Sequence, residues 1–234
     1  MFLSNRDIKW AIACGKLIVD PPPETDFSTY DQTAIDLHLG SIAAARIWDV
    51  DGLKEKRAAT GGRKDNEIPE VHIGDITLSF IKSNQIPVPE KSPDSLMAAS
   101  QLVYRRGDEV FVRKFGFLLW TTREKVGTPR VDPDLGDTPQ RHPELICFVN
   151  AKSTRARTGL LVHFTAPTIH AGWDGNITLE IANLGPFTFV LKEGDPLAQL
   201  TVATISSAPD ITMQKTRSQT QGQIDPTGRP NGVG

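Results

Sequence analysis

The sequence is short of cysteine and of long hydrophobic runs. Its 234 residues include two cysteines, Cys14 and Cys147, which are too few for a disulfide-dense scaffold or a four-thiolate zinc site. No segment approaches the roughly 18 consecutive apolar residues of a membrane span. The N-terminus becomes polar at Ser4, without the apolar core of a signal peptide. We therefore expect a reduced, cytoplasmic protein with no membrane partner.

An excess of charge of one sign is also missing. The chain carries 26 Lys and Arg against 28 Asp and Glu, a formal net charge of -2. Dedicated nucleic-acid binders usually contain a strongly basic domain, so we expect no nucleic-acid partner. A local cluster of cations still suits a small phosphorylated ligand.

Glycine and proline, in contrast, are plentiful, with 19 and 17 residues. This composition favours many short strands and turns over a helical bundle, and therefore a mainly β fold. One helix is predicted at the N-terminus, where Ser4 is the N-cap, Asp7 completes a capping box and Gly15 ends the helix. Strands are predicted at Leu17 to Val19, Gln32 to Leu39, Val71 to Ile81, Glu109 to Arg113, Phe115 to Thr122, Leu160 to Thr165, Ile177 to Ala182, Phe187 to Leu191 and Leu197 to Thr204.

Most of the remaining segments are predicted to be connections. Gly61 to Asn66 and Val126 to Glu144 are rich in turn residues and are predicted to be loops. Ser95 to Leu102 is predicted to form a short helix. From Ser207 onward the chain is polar, which predicts a mobile tail unless something holds it.

A basic segment precedes the strand predicted at Leu160. Among the seven residues Ala151 to Arg157 are three cations and two hydroxyls: Lys152, Ser153, Thr154, Arg155 and Arg157. Cations beside hydroxyls and free backbone N–H groups suit phosphate oxygens. A solvated basic turn is the alternative, and composition alone leaves both interpretations open.

A lone carboxylate stands in the strand predicted at Ile177 to Ala182. Strand alternation puts Ile177, Leu179 and Ile181 on one face and Glu180 on the other. Glu180 is therefore either a solvent-facing residue or a carboxylate in a pocket. Partial desolvation in a pocket would suit it to proton transfer near neutral pH.

The loop between these two strands is the third candidate for chemistry. Its glycines, Gly172 and Gly175, permit a tight turn and close approach of a ligand. Trp173 between them offers a flat face for a sugar or a base. The alternative is a hairpin loop with a core tryptophan.

One metal motif is excluded. His142 and Glu144 match the H-x-E half of the zinc nucleobase-deaminase signature, which also needs a P-C-x-x-C half. Neither cysteine lies in such a pair. We therefore expect no zinc site of this type.

In their order along the chain, these pieces resemble the dCTP deaminases of the trimeric dUTPase superfamily. The similarity covers about half of the chain, in the correct order, which is more specific than any one piece. The similar segments, each with its family pattern, are Leu3 to Ile8 (L-S-D-R-D-I), Gly15 to Leu17 (G-x-L), Thr33 to Gly40 (S-x-D-x-R-L-G), Ala151 to Arg157 (G-R-S-S-x-A-R), Thr165 to Glu180 (T-A…I-D-P-G-W-x-G…L-E), Gly194 to Leu200 (G-x-x-x-x-Q-L) and Gln221 to Gly228 (the C-terminal arm).

The resemblance implies a distorted jelly-roll or β-clip fold of the dUTPase type with an N-terminal helix. It implies one domain over residues 1–206, with insertions near 44–100 and 127–145, and a flexible C-terminal arm over 207–234 that closes over nucleotide. The implied assembly is a homotrimer with its sites between subunits. The implied reaction is metal-independent hydrolysis of dCTP to dUTP and ammonia, in the supply of dTMP precursors. A dUTP or dCTP pyrophosphatase and a non-catalytic nucleotide-binding regulator remain alternatives.

The resemblance also implies roles for the similar side chains. Glu180 would be the general base, and the carbonyl of Ala166 would orient the amine and the water. Ser153 and Arg157 would hold the base-side site and the water. The residues implied for substrate binding are Lys152 and Gln223 at the phosphates, Thr154 beside Lys152, Gln199 and the surroundings of Trp173 at the sugar, Thr168 near the base, and His170. Mg²⁺ would enter bound to the nucleotide phosphates, with no metal held by the protein.

Three departures from the family pattern bear on specificity. Lys152 replaces an Arg, which keeps the charge but loses a bidentate fork. Thr168 replaces an Arg that lies close to the base in the family. His170 replaces an Asp that, in the related dUTPases, contacts the sugar 3′-hydroxyl and activates water, so its absence counts against pyrophosphatase activity.

Overall fold

The computed structural model describes residues 1–24, 29–59, 69–91, 102–129, 144–207 and 222–226. The predicted loop at 61–66 and residues His142 and Pro143 lie outside these ranges. The helix predicted at Ser95 to Leu102 also lies outside them, except for its last residue.

Strands dominate the described part of the chain, and short helices connect some of them. The strands are β1 (Ile18–Asp20), β2 (Ala34–His38), β3 (Arg46–Trp48), β4 (Gln85–Pro87), β5 (Val103–Arg106), β6 (Glu109–Val112), β7 (Phe117–Gly127), β8 (Leu145–Ala151), β9 (Leu160–Val162), β10 (Thr168–Ile169), β11 (Asp174–Asn183), β12 (Phe189–Lys192) and β13 (Pro196–Thr204). The α-helices are α1 (Asn5–Ala13), α2 (Val50–Ala59), α3 (Leu78–Ser83) and α4 (Ser153–Ala156), and 3₁₀ turns lie at Ile42–Ala44 and Ile73–Asp75.

The strands form three antiparallel sheets. The largest has the order β4–β3–β7–β11–β9, with β1 also paired to β7. The second has the order β10–β8–β13–β2, and the third has the order β12–β6–β5. The prediction of a mainly β fold with an N-terminal helix is therefore confirmed.

One hydrophobic core joins the two larger sheets. Buried residues of β7 and β11 belong to the same cluster as those of β2, β8 and β13. Trp120 of β7 is fully buried, and its Nε1 donates to the carbonyls of Gly40 and Ser41, both at 3.0 Å. A Cβ at Gly40 would lie 3.0 Å from the carbonyl oxygens of Thr121 and Thr122. The absence of a side chain there lets the segment after β2 approach β7 closely.

A β-bulge interrupts the pairing of β7 with β11. The register shifts between Asn176 and Thr178, so extra residues of β7 bulge out opposite Ile177. The Thr122 hydroxyl accepts from the Ile177 N–H at 2.9 Å, and the Asn176 side-chain amide donates to the Thr122 carbonyl at 3.0 Å. These side chains replace the ladder bonds that the bulge removes.

The N-terminal helix forms where it was predicted. Ser4 caps it, and both hydrogen bonds of the capping box with Asp7 are present. Ile8 and Ala11 are buried against the core, and Gly15 follows the helix with a φ of 69°. None of the helices in the described ranges has the length and hydrophobicity needed to cross a membrane.

The strand predicted at Val71 to Ile81 is wrong. This stretch contains the 3₁₀ turn Ile73–Asp75 and then α3. The side chain of Thr77 accepts a hydrogen bond from the Phe80 N–H at 3.1 Å and caps α3. A local cap therefore outweighs the strand-like composition.

Two of the predicted strands also have different bounds in the structure. The strand predicted at Phe115 to Thr122 begins later, because Phe115 has a φ of 67° and lies in a turn. It also runs on to Gly127, through residues 126 and 127 that were predicted to be loop, because the bulge accommodates the charged stretch. The strand predicted at Leu160 to Thr165 ends at Val162, because His163 has a φ of 50°.

The two cysteine thiols should differ sharply in reactivity. Cys14 is exposed, whereas burial of Cys147 raises the pKa of its thiol to about 12. Because the thiolate is the reactive form, we expect one thiol to react with Ellman's reagent in the native protein at about pH 8, and two after unfolding. The Cys14→Ser variant serves as the control and should show no native reaction. Rapid native labelling of that variant would contradict the buried position of Cys147.

Candidate active site

Glu180 lies on β11 among fully buried neighbours. Leu179 and Ile181 are both 0% exposed and point into the core, as the alternation predicts. The Glu180 side chain points to the other face and is 26% exposed. The strand therefore holds a carboxylate at the boundary between the core and a solvent-accessible surface.

His163 is an ionisable neighbour of Glu180. Its Nδ1 lies 3.0 Å from Oε2 of Glu180, and its side chain is 5% exposed. The backbone N–H of His163 also donates to the Glu180 carbonyl at 2.8 Å. The positive φ of His163 turns the chain just after β9, an uncommon conformation for a residue other than glycine.

These two side chains leave polar atoms unsatisfied. Both ring nitrogens of His163 and Oε2 of Glu180 are buried without a hydrogen-bond partner in the described residues. The 3.0 Å approach is thus within ion-pair distance but lacks hydrogen-bond geometry. Buried polar groups without a partner are rare, and a water or a polar ligand at this place would satisfy them.

The basic segment forms the short helix α4 and its flanks. Ser153, Thr154 and Arg157 are exposed, and Arg155 forms no ion pair with another described residue. The hydroxyls and guanidinium groups are therefore accessible to a ligand, as both interpretations of this segment require.

Lys152 is the member of this segment with a protein partner. Its Nζ lies 2.5 Å from Oδ2 of Asp36 on β2. Oδ1 of Asp36 accepts from Nε2 of Gln199 on β13 at 3.2 Å. Two residues predicted to bind substrate are thus joined through a carboxylate that was not among the predicted site residues.

The loop after β9 places its predicted residues in different environments. Ala166 and His170 are exposed, and Thr168 of β10 is half-buried. Trp173 is 7% exposed and belongs to the hydrophobic core, as the alternative interpretation required. The contact of its surroundings with a sugar stays a prediction.

Gln223 is held against the first residues of β11. Its side-chain amide donates to the Asn176 carbonyl at 3.0 Å and to the Thr178 hydroxyl at 2.5 Å. The backbone carbonyl of Gln223 accepts from the Asn176 N–H, and the Gly222 N–H donates to the Asp174 backbone carbonyl, both at 2.7 Å. Residues 222–226 of the predicted arm therefore dock beside the β-bulge.

The site residues form two separate groups. Glu180 and His163 make one, and Lys152, Asp36 and Gln199 make the other. Within the described ranges, no hydrogen bond or ion pair joins Glu180 to Ser153 or Arg157. No direct polar contact between described residues therefore links Glu180 to α4 and its flanks.

Two residues of these groups were not predicted from the sequence. His163 matches no metal or nucleophile motif. Its burial and its positive φ are not indicated by the residues next to it in the sequence. Asp36 lies in the segment similar to the family's S-x-D-x-R-L-G strand, but no role was predicted for it. Its lysine partner is 116 residues away, so only the fold brings the two together.

Comparison with known proteins gives a consistent assignment. A family model described as "dCTP deaminase-like" matches residues 2–205. The chain is 26% identical over 227 residues to a dCTP deaminase of Natronomonas pharaonis, covering 97% of this chain and 92% of that protein. It is 25% identical over 210 residues to a "dCTP deaminase, dUMP-forming" of Halobacterium salinarum, covering 90% of this chain and 84% of that protein.

A solved structure is also similar. The 2′-deoxycytidine 5′-triphosphate deaminase of Agrobacterium tumefaciens matches with a TM-score of 0.49 and 14% identity. The match covers 86% of this chain and 47% of that chain, so this chain spans about half the length of that structure.

Docking of the arm can be tested through Gly175. A Cβ at Gly175 would lie 2.9 Å from the Gln223 nitrogen and 3.0 Å from its oxygen. We expect Gly175→Ala to displace the segment and to speed hydrogen exchange of the Gly222 and Asn176 amides by about tenfold or more. Gly74→Ala is the matched control, because no atom lies within 4 Å of a Cβ there. Equal exchange in the two variants would contradict this docking.

Proposed function

The chain belongs to the dCTP deaminase-like family, and from that premise we propose that it hydrolyses dCTP to dUTP and ammonia. The observation that carries the proposal is Glu180, a half-buried carboxylate whose Oε2 has no hydrogen-bond partner in the described residues and lies beside His163. A carboxylate in this position is suited to move protons on and off a bound base. The proposed role supplies dUTP as a precursor of dTMP.

The proposed reaction needs one group that acts first as a base and then as an acid. Glu180 takes a proton from water, and the resulting hydroxide attacks C4 of cytosine. Glu180 then delivers this proton to N3, and a second proton transfer to the amine lets ammonia leave from C4. Water supplies the new oxygen, so the reaction balances without a redox partner.

Other residues hold the reactants in the proposed site. Ser153 and Arg157 position the base and the water, and the Ala166 carbonyl orients the amine. Lys152 contacts phosphate oxygens, and Gln199 contacts the sugar. Mg²⁺ enters on the nucleotide phosphates, and no protein ligand is assigned to it.

We further propose a homotrimer in which two subunits complete each site. The support is that no hydrogen bond or ion pair among the described residues joins Glu180 to Ser153 or Arg157 within one chain. In the proposed trimer, Glu180 of one subunit faces Ser153 and Arg157 of its neighbour across the interface.

The reaction is tested by incubating the protein with dCTP and Mg²⁺ and separating the products. Conversion to dUTP with one ammonia for each dUTP supports the proposal. Formation of dUMP and pyrophosphate would instead favour a dUMP-forming deaminase, the activity named for the Halobacterium relative. Binding of dCTP without turnover would favour a regulatory protein.

Replacing Glu180 tests the proton-transfer step. We expect Glu180→Gln to abolish ammonia release and to leave dCTP affinity nearly unchanged, because the amide keeps the shape but is not a base. Glu55→Gln, on the exposed surface of α2, changes the net charge equally and should be fully active. Substantial ammonia release by Glu180→Gln would overturn this mechanism.

Mixing of inactive variants tests the shared site. Glu180→Gln and Arg157→Ala should each be inactive as homotrimers. If one subunit supplies Glu180 and its neighbour supplies Arg157, co-refolding at equal amounts restores about a quarter of the sites. The readout is ammonia release by the mixed protein. A mixture as inactive as its components would show that both residues act in the same subunit.

A further inference from the structure

Asp36 lies where three adjacent backbone segments meet. It pairs in register with Gln199, and Gln199 pairs with Asn150 on its other side. Lys152 follows directly after β8, the strand that contains Asn150. The position of Asp36 is therefore fixed by the ladders of the second sheet and not by a loop.

Both carboxylate oxygens of Asp36 are engaged. Oδ2 accepts from the Lys152 ammonium at 2.5 Å, and Oδ1 accepts from the Gln199 amide at 3.2 Å. The Asp36 side chain is 12% exposed, and that of Lys152 is 25% exposed. The ammonium is thus held by a mostly buried carboxylate while part of it still faces solvent.

A lysine depends on such a partner more than an arginine does. Its ammonium is a point charge on a flexible stem, whereas a guanidinium presents a rigid fork. A lysine ammonium has three donors, so one can bind Asp36 while the others remain for phosphate oxygens. Holding the ammonium in place removes part of the ordering cost when an anion binds.

We propose that Asp36 is a positioning residue that orients Lys152 and Gln199 for the phosphate tail and sugar of the nucleotide. This inference rests on the proposed function for the identity of the nucleotide. Asp36 does not attract the ligand, because its carboxylate is negative like the phosphates and repels them. Its contribution comes from the orientation of Lys152 and Gln199. Positioning therefore predicts that removal of the Asp36 charge weakens phosphate binding, whereas simple electrostatics predicts that it strengthens phosphate binding.

The test measures binding of inorganic tripolyphosphate, dCTP and deoxycytidine by calorimetry, with Asp36→Asn against the wild type. The amide still accepts from Gln199 but no longer pairs with Lys152. We expect tripolyphosphate and dCTP to bind about tenfold more weakly, the effect of one lost charge-assisted hydrogen bond, and deoxycytidine to bind as before. Glu144→Gln is the matched control, because it removes the exposed Lys16–Glu144 ion pair and the same charge.

Three outcomes would overturn the proposal. Tighter binding of tripolyphosphate by Asp36→Asn would show that the carboxylate only repels the anion. Equal weakening for all three ligands would indicate a purely structural ion pair. A wild-type protein that binds dCTP no better than deoxycytidine, and does not bind tripolyphosphate, would remove Lys152 from phosphate binding.

A second variant keeps the test decisive if Asp36→Asn does not fold. Asp36→Glu retains the charge but displaces the carboxylate by one methylene, so positioning still predicts weaker tripolyphosphate binding and pure electrostatics predicts no change. In the Lys152→Ala background, the Asp36→Asn effect on tripolyphosphate should disappear, since Asp36 acts through Lys152. An additive effect would refute that route.

The role of Asp36 and the proposed deamination can be refuted independently of each other. A wild-type protein that binds dCTP and tripolyphosphate but releases no ammonia would refute deamination and leave the Asp36 comparison intact. A wild-type protein that releases ammonia, with an Asp36→Asn variant that binds tripolyphosphate equally well, would refute only the role of Asp36.

Discussion

The pairing of β7 with β11 is the constraint on which the core and the candidate site both depend. On one side of the bulge, the register sets Leu179 opposite Trp120 and Glu180 opposite Leu119. Because alternate residues face opposite sides of a strand, burying Leu179 in the core commits Glu180 to the other face. On the far side of the bulge, Asn176 still pairs with Lys125, and its N–H donates to the backbone carbonyl of Gln223. A single irregularity therefore separates the candidate site residue Glu180 from the segment that holds Gln223 on the same strand.

The same strand tolerates unfavourable features close to Glu180. His163 adopts a positive φ, and its ring nitrogens and Glu180 Oε2 are buried without described partners. Each feature lowers the stability of the folded chain. Surrounding residues offset this cost, because Val162 and Ile181 on the paired strands are almost fully buried. Local strain supported by a rigid frame is typical of functional sites, since chemistry needs polar groups that the fold itself does not satisfy.

Local patterns explain which features could be predicted from the sequence. The Ser4 and Asp7 capping box and the alternation around Glu180 depend on near neighbours, and both formed as predicted. The three-residue strands β3 and β4 depend on pairing between residues 46–48 and 85–87, so no local pattern indicates them. The pair of Asp36 with Lys152 and the approach of His163 to Glu180 likewise arise only from tertiary structure. The family resemblance indicated candidate site residues, but it did not reveal the partners that the structure gives them.

The cations of the basic segment Ala151 to Arg157 can attract an anion locally, although the chain as a whole carries a net negative charge. The formal net charge is -2, so the molecule as a whole does not attract a polyanion. Charges are screened beyond about 8 Å at physiological ionic strength, and nearby cations therefore decide the interaction. Asp36 neutralises Lys152, while Arg155 and Arg157 have no ion-pair partner in the described residues. In the proposed site, the paired Lys152 therefore offers phosphate a fixed donor, while Arg157, which has no ion-pair partner in the described residues, is available to position the base and the water.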